Sequence, residues 1–182
     1  MEVTKTPIEG LLIVKPDVYK DDRGYFFESY NEDRFVQNGV PMKFVQDNQS
    51  LSSYGVVRGL HYQLEPYAQT KLVRVLQGKI LDVAVDIRKN SPTFGQWFGV
   101  ELSDENFLQF LLPKGFAHGF SVLSKTALVM YKCDNYYNKS AERGIIYNDK
   151  SLNIDWKLSP EVVLVSTKDK MMTTFDKAEI NF

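Results

Sequence analysis

The chain has 182 residues, of which 43% are hydrophobic, and its 22 basic and 23 acidic residues leave a formal net charge of -1. This length is typical of one domain with its own hydrophobic core, so we expect a single domain over residues 1–182. A balanced charge without runs of like-charged residues argues against a nucleic-acid partner. The single cysteine, Cys133, excludes an intrachain disulfide, and no apolar run is long enough to cross a membrane, so we predict a cytoplasmic protein.

Most of the sequence consists of short segments rich in Val, Ile, Phe and Tyr, separated by turn residues, which is typical of a β-sandwich or β-barrel. The link Gln77-Gly78-Lys79 predicts a tight hairpin, and the strand after it alternates apolar and polar residues, so that strand has one polar face. Strands are predicted near Leu11–Lys15, Tyr25–Tyr30, Phe44–Ser50, Val56–Tyr62, Leu72–Leu76, Ile80–Ile87, Trp97–Leu102, Phe107–Leu111, Gly119–Val122 and Ala127–Cys133.

One early segment is predicted to be a short surface helix. Asn31 is a suitable N-cap, Glu32 and Asp33 suit the first turn, and Asn38-Gly39 ends the helix. The tail from Asn148 onward mixes turn residues with short apolar pieces, and its pattern predicts neither helices nor strands.

The segment Asp22–Glu28 combines a cation, a turn glycine, an aromatic ring and a carboxylate. Strand alternation places Phe26 and Glu28 on one face. A ring beside a carboxylate suits a nucleobase, and the Arg23 guanidinium can bind a phosphate. The alternative is a core phenylalanine with solvated charges, which this segment taken alone favours.

Four further polar side chains lie in predicted strands or at their ends. Gln46 and Asn48 share a strand face, which indicates either a polar cavity or an exposed sheet edge. Lys71 opens a strand on the same face as two valines, and Tyr131 lies in the last long strand. A solvated strand-end lysine and a packed tyrosine are the alternatives to a functional role.

An arginine and a histidine lie three residues apart in the otherwise apolar segment Val57–Gln63. Regular pleating would point Arg58 and His61 to opposite faces, but a bulge at the intervening Gly59 would bring both to one face. Bulges are common beside active sites. The alternative is a buried histidine with satisfied hydrogen bonds, the commoner case for a single strand histidine.

The segment Pro113–Phe120 has the spacing P-x-G-x-x-H, which resembles the second conserved motif of cupin barrels. In metal-binding cupins the histidine of that motif, here His118, joins an H-x-H pair and a carboxylate. In this chain the first element is His61-Tyr62-Gln63, and there is no third histidine. A histidine-rich zinc or iron site is therefore not expected, and a site with more carboxylates stays open.

Taken together, these segments resemble one family, the dTDP-4-dehydrorhamnose 3,5-epimerases of dTDP-L-rhamnose synthesis. The resemblance runs nearly from end to end and implies an all-β, cupin-like double-stranded β-helix (jelly-roll) barrel with a few short helices. It also implies a homodimer that needs neither metal nor cofactor. The segments that carry the resemblance are Asp22–Glu28, Gln46–Asn48, Arg58–Gln63, Lys71–Val75, Gly115–Phe120, Tyr131–Cys133 and Lys168-Asp169.

The resemblance implies epimerisation of dTDP-4-dehydro-6-deoxy-D-glucose at C3 and C5. His61 would be the base that removes a proton beside the C4 ketone, with Asp169 orienting it. Tyr131 would return a proton to the opposite face, and Lys71 would hold the C4 oxygen. These side chains suit the chemistry, because an enolate needs a positioned cation and a base works best with a pKa near the working pH.

The remaining implied contacts are with the substrate. Arg23 and Arg58 would bind the diphosphate, Phe26 and Glu28 would meet the thymidine, and Tyr137 would help to hold the nucleotide. The other side chains implied to line the site are Gln46, Asn48, His118, Glu142 and Lys168.

Three alternatives stay open on the sequence. One is a related enzyme that epimerises a single carbon or moves a ketone, another is a metal-dependent cupin enzyme, and the third is a nucleotide-sugar binding module without activity. The segment Lys168–Met172 continues differently from the family pattern, which leaves the role of the extreme tail open.

Overall fold

Two antiparallel β-sheets face each other in this computed structural model, which describes residues 1–182. The strands are β1 (Glu2–Lys5), β2 (Leu12–Lys15), β3 (Tyr19–Asp21), β4 (Gly24–Phe26), β5 (Gln46–Ser53), β6 (Val57–Gln63), β7 (Lys71–Gln77), β8 (Lys79–Asp86), β9 (Trp97–Ser103), β10 (Gln109–Leu112), β11 (Phe116–Val122), β12 (Thr126–Cys133) and β13 (Glu142–Gly144).

Six strands form one sheet, in the order β1-β2-β10-β7-β12-β5, and five form the other, in the order β13-β6-β11-β8-β9. Strands β3 and β4 form a separate hairpin. From β5 to β13 the chain passes from one sheet to the other at almost every connection, which is the winding of a jelly roll. The predicted all-β barrel is therefore confirmed.

The connection at Gly78 is one of these crossings. Strand β7 pairs with β10 and β12, whereas β8 pairs with β9 and β11, so the hairpin predicted at Gln77-Gly78-Lys79 is wrong. A turn residue indicates that the chain reverses direction but not which sheet the next strand joins. Gly78 is still required, because its φ is +85° and an added Cβ would collide with the backbone oxygen of Thr126.

The strand predicted over Tyr25–Tyr30 is shorter than expected, because β4 ends at Phe26. The Glu28 side chain instead accepts hydrogen bonds from Asn31 (2.9 Å) and Arg34 (2.8 Å) at the start of the next helix. Phe26 and Glu28 therefore do not share a strand face, and that expectation is wrong. The short strands β1, β3 and β13 were not predicted at all.

Three apolar clusters hold the layers together. The largest lies between the sheets and combines Val73 and Phe110 from one sheet with Ile80 and Phe120 from the other. A second cluster lies on the outer face of the five-stranded sheet, where it is covered by the C-terminal segment. The third lies on the outer face of the six-stranded sheet, around Phe35.

The helices are short and cover the sheets. Helix α1 (Glu32–Gln37) begins as predicted at Asn31, whose side chain accepts from the N–H of Arg34 (3.2 Å). Helix α2 (Thr167–Lys170) belongs to the C-terminal segment, with 3₁₀ turns at Pro160–Val162 and Phe175–Lys177. None of these helices has the length and apolar character needed to cross a membrane.

The polar face predicted for β8 points into the barrel. Asp82 lies on the same face as Ile80 and Ala84, which belong to the cluster between the sheets, and Asp82 is fully buried. Burying a carboxylate in this position destabilises the fold unless a polar group pairs with it. We therefore expect other polar side chains near Asp82 in the interior of the barrel.

Candidate active site

A polar cavity of about 340 Å³ lies between the two sheets. An adjoining hollow of about 240 Å³ shares its central side chains and adds Arg58 and His118. Strands of both sheets therefore bring into one place side chains that are distant in sequence. Of the residues predicted to form the site, those that line the larger cavity are Gln46, Asn48, His61, Lys71, Tyr131, Tyr137 and Glu142.

A bulge at Gly59, which the sequence left open, is present. His61 pairs with His118 and Arg58 with Phe120, so β6 holds one residue more than β11 between these two pairs. Gly59 has a φ of +121°, and an added Cβ would lie 2.6 Å from the Cα of Gly119. Only glycine fits this position, and its effect is that Arg58 and His61 line the same hollow.

His61 is paired with Asp169 of α2. The Nε2 of His61 lies 2.9 Å from Oδ1 of Asp169, while Oδ2 of the same carboxylate accepts from the N–H of Gly59 (3.1 Å). Burial by itself would raise the pKa of Asp169, but the hydrogen bonds, led by that of His61, hold this pKa below its usual value. Asp169 is thus an anion that fixes both the imidazole and the bulge.

His118 forms a second pair, with Asp82. The Nε2 of His118 lies 2.7 Å from Oδ1 of Asp82, and both side chains are buried. Burial lowers the pKa of His118, and nearby Lys71 and His61 act in the same direction, although Asp82 opposes the shift. Oδ2 of Asp82 has no hydrogen-bond partner. Asp82 was not predicted as a site residue.

Lys71 and Tyr131 stand on the six-stranded sheet, opposite the strand of His61. The Nζ of Lys71 lies 5.7 Å from the centre of the Tyr131 ring. Burial lowers the pKa of Lys71, while Cys133, Asp82 and Glu142 oppose that shift. Burial also raises the pKa of Tyr131, so its hydroxyl keeps its proton at neutral pH.

Glu142 connects the cavity to the C-terminal segment. Its carboxylate accepts from Lys168 (2.6 Å) and from the hydroxyl of Tyr137 (2.9 Å). Burial would raise the pKa of Glu142, but these two partners hold it below its usual value. The corner formed by these three side chains joins β13, α2 and the loop after β12.

Sequence comparison identifies the family. The sequence model of the dTDP-4-dehydrorhamnose 3,5-epimerases matches residues 5–177. The dTDP-4-dehydrorhamnose 3,5-epimerase of Shigella flexneri is 56% identical over 170 residues, which cover 93% of each chain. This chain belongs to the dTDP-4-dehydrorhamnose 3,5-epimerase family.

Solved structures of dTDP-4-dehydrorhamnose 3,5-epimerases have the same fold. The protein from Elizabethkingia anophelis NUHP1 is 52% identical and matches with a TM-score of 0.93, covering 98% of this chain and 99% of that one. The dTDP-6-deoxy-D-glucose-3,5-epimerase from Legionella pneumophila Philadelphia 1, in complex with dTDP-4-keto-L-rhamnose, is 50% identical with a TM-score of 0.92, covering 97% and 93% of the two chains. The predicted family is therefore confirmed.

Three residues that the epimerase resemblance assigns to the substrate lie elsewhere in this chain. Arg23 and Phe26 line a separate hollow on the β3–β4 hairpin, where Arg23 pairs with Asp21. Glu28 is bonded to Asn31 and Arg34. None of the three lines the cavities around His61. The chain alone does not bring them to the site.

The other predicted side chains lie at the site in two groups. Gln46 donates to Asn48 (3.1 Å) and accepts from the N–H of Tyr137 (3.0 Å), so the two amides form a chain along β5. Arg58, Lys168 and Asp169 line a further hollow of about 390 Å³ next to His61. No group of three or more His, Cys, Asp or Glu side chains is arranged to hold a metal ion.

Proposed function

We propose that this chain epimerises dTDP-4-dehydro-6-deoxy-D-glucose at C3 and C5 to dTDP-4-dehydro-L-rhamnose without a cofactor, as one domain over residues 1–182. The observation that carries the proposal is that His61 and Tyr131 reach one cavity from opposite sheets. Inversion requires a base on one face of the sugar and an acid on the other. Membership of the family and the sugar nucleotide bound to the Legionella protein support this choice of substrate.

The first step is loss of a proton from carbon. Nε2 of His61 is held by Asp169, so Nδ1 is the nitrogen left to accept the proton. The C–H bond breaks, its electron pair forms the enolate, and the negative charge moves to the C4 oxygen. Asp169 then stabilises the imidazolium, as a carboxylate behind a catalytic histidine does.

The second step returns a proton to the other face. Lys71 lies beside Tyr131 and stabilises the oxygen of the enolate. Tyr131 gives its hydroxyl proton to the carbon from the opposite sheet, and its raised pKa keeps that proton available until the enolate forms. The phenolate and the imidazolium then return to their starting forms by exchange with solvent, and the cycle repeats at the second carbon.

The nucleotide is held beside these groups. Arg58 and Lys168 line one hollow and supply the positive charge that a diphosphate needs. The neutral His118, with Nε2 held by Asp82, presents Nδ1 as an acceptor for a sugar hydroxyl. Gln46, Asn48 and Glu142 contribute the remaining polar contacts of the cavity, and the half-exposed ring of Tyr137 packs on the nucleotide.

We also propose that two copies pair as a homodimer in the cytoplasm, a compartment that suits a single free cysteine. The β3–β4 hairpin carries the exposed aromatic rings of Tyr19, Tyr25 and Phe26. Exposed aromatic groups of this kind are typical of interfaces. A partner that supplied Arg23 and Phe26 from its hairpin, and Glu28 from the segment that follows it, would complete the nucleotide site.

Solvent exchange tests the reaction. Incubated with the substrate in heavy water, the protein should place deuterium at both C3 and C5, as read by NMR. Exchange at one carbon would identify a single-carbon epimerase, and no exchange would reject the proposal. Tyr131→Phe is a matched variant that lacks only the hydroxyl. It should still exchange protons through His61 but should form the inverted product much more slowly.

Mixing two inactive variants tests the homodimer. Preparations of His61→Ala and of a combined Arg23→Ala and Phe26→Ala variant should regain activity when they are unfolded together and refolded. Only a heterodimer in which one hairpin serves the other cavity has an intact site. Absence of recovery despite a dimeric mass by light scattering would reject this arrangement.

A further inference from the structure

One buried amide at the end of β6 bonds both loops at the mouth of the cavity. Gln63 is 6% exposed and lines the cavity two residues after His61. Its Nε2 donates to the carbonyl of Tyr67 (2.7 Å) and to that of Tyr136 (3.4 Å), and its Oε1 accepts from the N–H of Asn138 (2.6 Å). Both donor hydrogens of this amide are therefore in use, together with one of its acceptor sites.

The two loops are joined to each other as well. Residues 64–70 connect β6 to β7, and residues 134–141 connect β12 to β13. Asn135 donates to the carbonyl of Pro66 (3.2 Å), Gln69 donates to that of Asn135 (2.7 Å), and the N–H of Thr70 donates to Asp134 (2.6 Å). The loops thus form one unit, which Gln63 fastens to the sheet beneath it.

Tyr137 stands between the two residues of the second loop that Gln63 bonds. Its own N–H donates to Gln46 (3.0 Å) and its hydroxyl donates to Glu142 (2.9 Å), while its ring is 52% exposed. The backbone on either side of the ring is therefore fixed before any ligand binds. A ring held in this way offers a flat apolar face without first having to be ordered.

We propose that Gln63 is a positioning residue for nucleotide binding, which holds Tyr137 at the mouth of the cavity without touching the reacting sugar. This inference rests on the proposed function through the contact between Tyr137 and the nucleotide. Without the amide, backbone groups of both loops lose their hydrogen-bond partners on the sheet, and the loops open part of the time. The apparent Kd then rises by the inverse of the fraction that stays ordered.

The variant Gln63→Leu keeps the approximate size of the side chain and removes its hydrogen bonds. We expect the Kd for dTDP, measured by calorimetry, and the KM of the substrate to rise by about tenfold, if about one molecule in ten keeps the ordered loops. The kcat should stay within about twofold of the original value, because His61, Lys71 and Tyr131 are untouched. The matched control is Gln77→Leu, the same change at an exposed strand end, which should leave both constants unchanged.

A double-mutant cycle with Tyr137→Ala distinguishes an effect of Gln63 on the position of the Tyr137 ring from a general destabilisation of the loops. If Gln63 acts through the ring, the two losses in dTDP affinity should combine to less than their product. A folded Gln63→Leu protein with the original Kd would overturn the proposal. Fully multiplicative losses, or a fall in kcat at constant Kd, would also overturn it.

The unaltered protein provides a test that does not depend on the folding of a variant. Addition of dTDP should slow amide hydrogen exchange in residues 64–70 and 134–141 together, since they form one unit. Protection of one loop without the other would contradict the inference. Failure of the epimerase proposal is distinguishable, because it would appear as absent C3 and C5 exchange while dTDP binding and loop protection persist.

Discussion

The chain holds two histidine–aspartate pairs whose surroundings differ. His61 and His118 stand opposite each other on neighbouring strands, and each bonds a carboxylate through Nε2, at 2.9 and 2.7 Å. His118 and Asp82 are both buried inside the barrel. The side chain of His61 is 31% exposed, and Asp169 reaches it from a helix beyond the last strand.

Burial separates the functions of two otherwise similar pairs. A base must gain and lose a proton in every turnover, which requires access to substrate and solvent. The lowered pKa of His118 keeps this histidine neutral, so it serves as a fixed hydrogen-bonding group. His61 lies where the bulge at Gly59 opens the strand to the cavity, and it is the histidine that can exchange its proton. The same kind of substitution in the two pairs should therefore have different effects on kcat and KM.

Removal of the proposed base should have the largest effect. His61→Ala is expected to lower kcat by about a hundred- to ten-thousandfold, the usual contribution of a positioned base, and to abolish deuterium uptake by the substrate. The counterpart, His118→Asn, should mainly raise KM, because in the proposed mechanism His118 binds the sugar but takes no proton. Equal losses of kcat in the two variants would remove the distinction between the pairs.

An amide in place of the carboxylate of Asp169 should have the next largest effect. In Asp169→Asn the oxygen is retained by the N–H of Gly59, so the NH₂ group faces Nε2 of His61. That arrangement forces the ring proton onto Nδ1, the nitrogen that acts as the base in the proposed mechanism. We expect kcat to fall by about a hundredfold or more, as in other enzymes in which the histidine adopts the wrong tautomer.

The same change in the other pair is the control. Asp82→Asn alters the partner of His118, which takes up no proton in the proposed mechanism, so its effect should fall on KM. Steady-state kinetics of both variants, with thermal unfolding to establish that each is folded, decides between them. A larger loss of kcat in Asp82→Asn than in Asp169→Asn would exchange the proposed roles of the two histidines.

The two histidine–aspartate pairs also show which features the sequence could predict: local patterns could be recognised, whereas contacts between residues distant in sequence could not. The long strands were predictable because alternation is a local signal, and the glycine between Arg58 and His61 showed where a bulge could form but not that it does. Asp82 was visible only as part of a polar strand face, since its partner lies 36 residues away and meets it only when β8 pairs with β11. Asp169, 108 residues from His61, came from the family resemblance and not from any local pattern.

The positions of the hairpin residues could not be predicted for a similar reason. Local alternation predicts that Phe26 and Glu28 lie on one strand face. In the structure the strand ends before Glu28, and the Glu28 carboxylate accepts hydrogen bonds from Asn31 and Arg34 at the start of α1. Whether a residue between β4 and α1 continues the strand or bonds to the start of the helix depends on hydrogen bonds that form only in the folded chain. The crossing at Gly78 likewise depends on the sheets and not on the turn itself.

The smallest expected effect is on stability as a function of pH. The pKa of His118 is lower in the folded chain than the value of about 6.5 for an unfolded histidine. The folded state therefore binds fewer protons, and the stability that neutral His118 contributes is present above pH 6.5 and is lost as the pH falls towards the folded pKa. Chemical denaturation between pH 7.5 and 5.5 should show the contribution of this group to the free energy of unfolding decreasing as the pH falls. His118→Asn cannot titrate, so its stability should decline less steeply over the same range. Parallel curves for the two proteins would mean that burial does not hold His118 neutral, and the contrast between the two pairs would then have to rest on geometry alone.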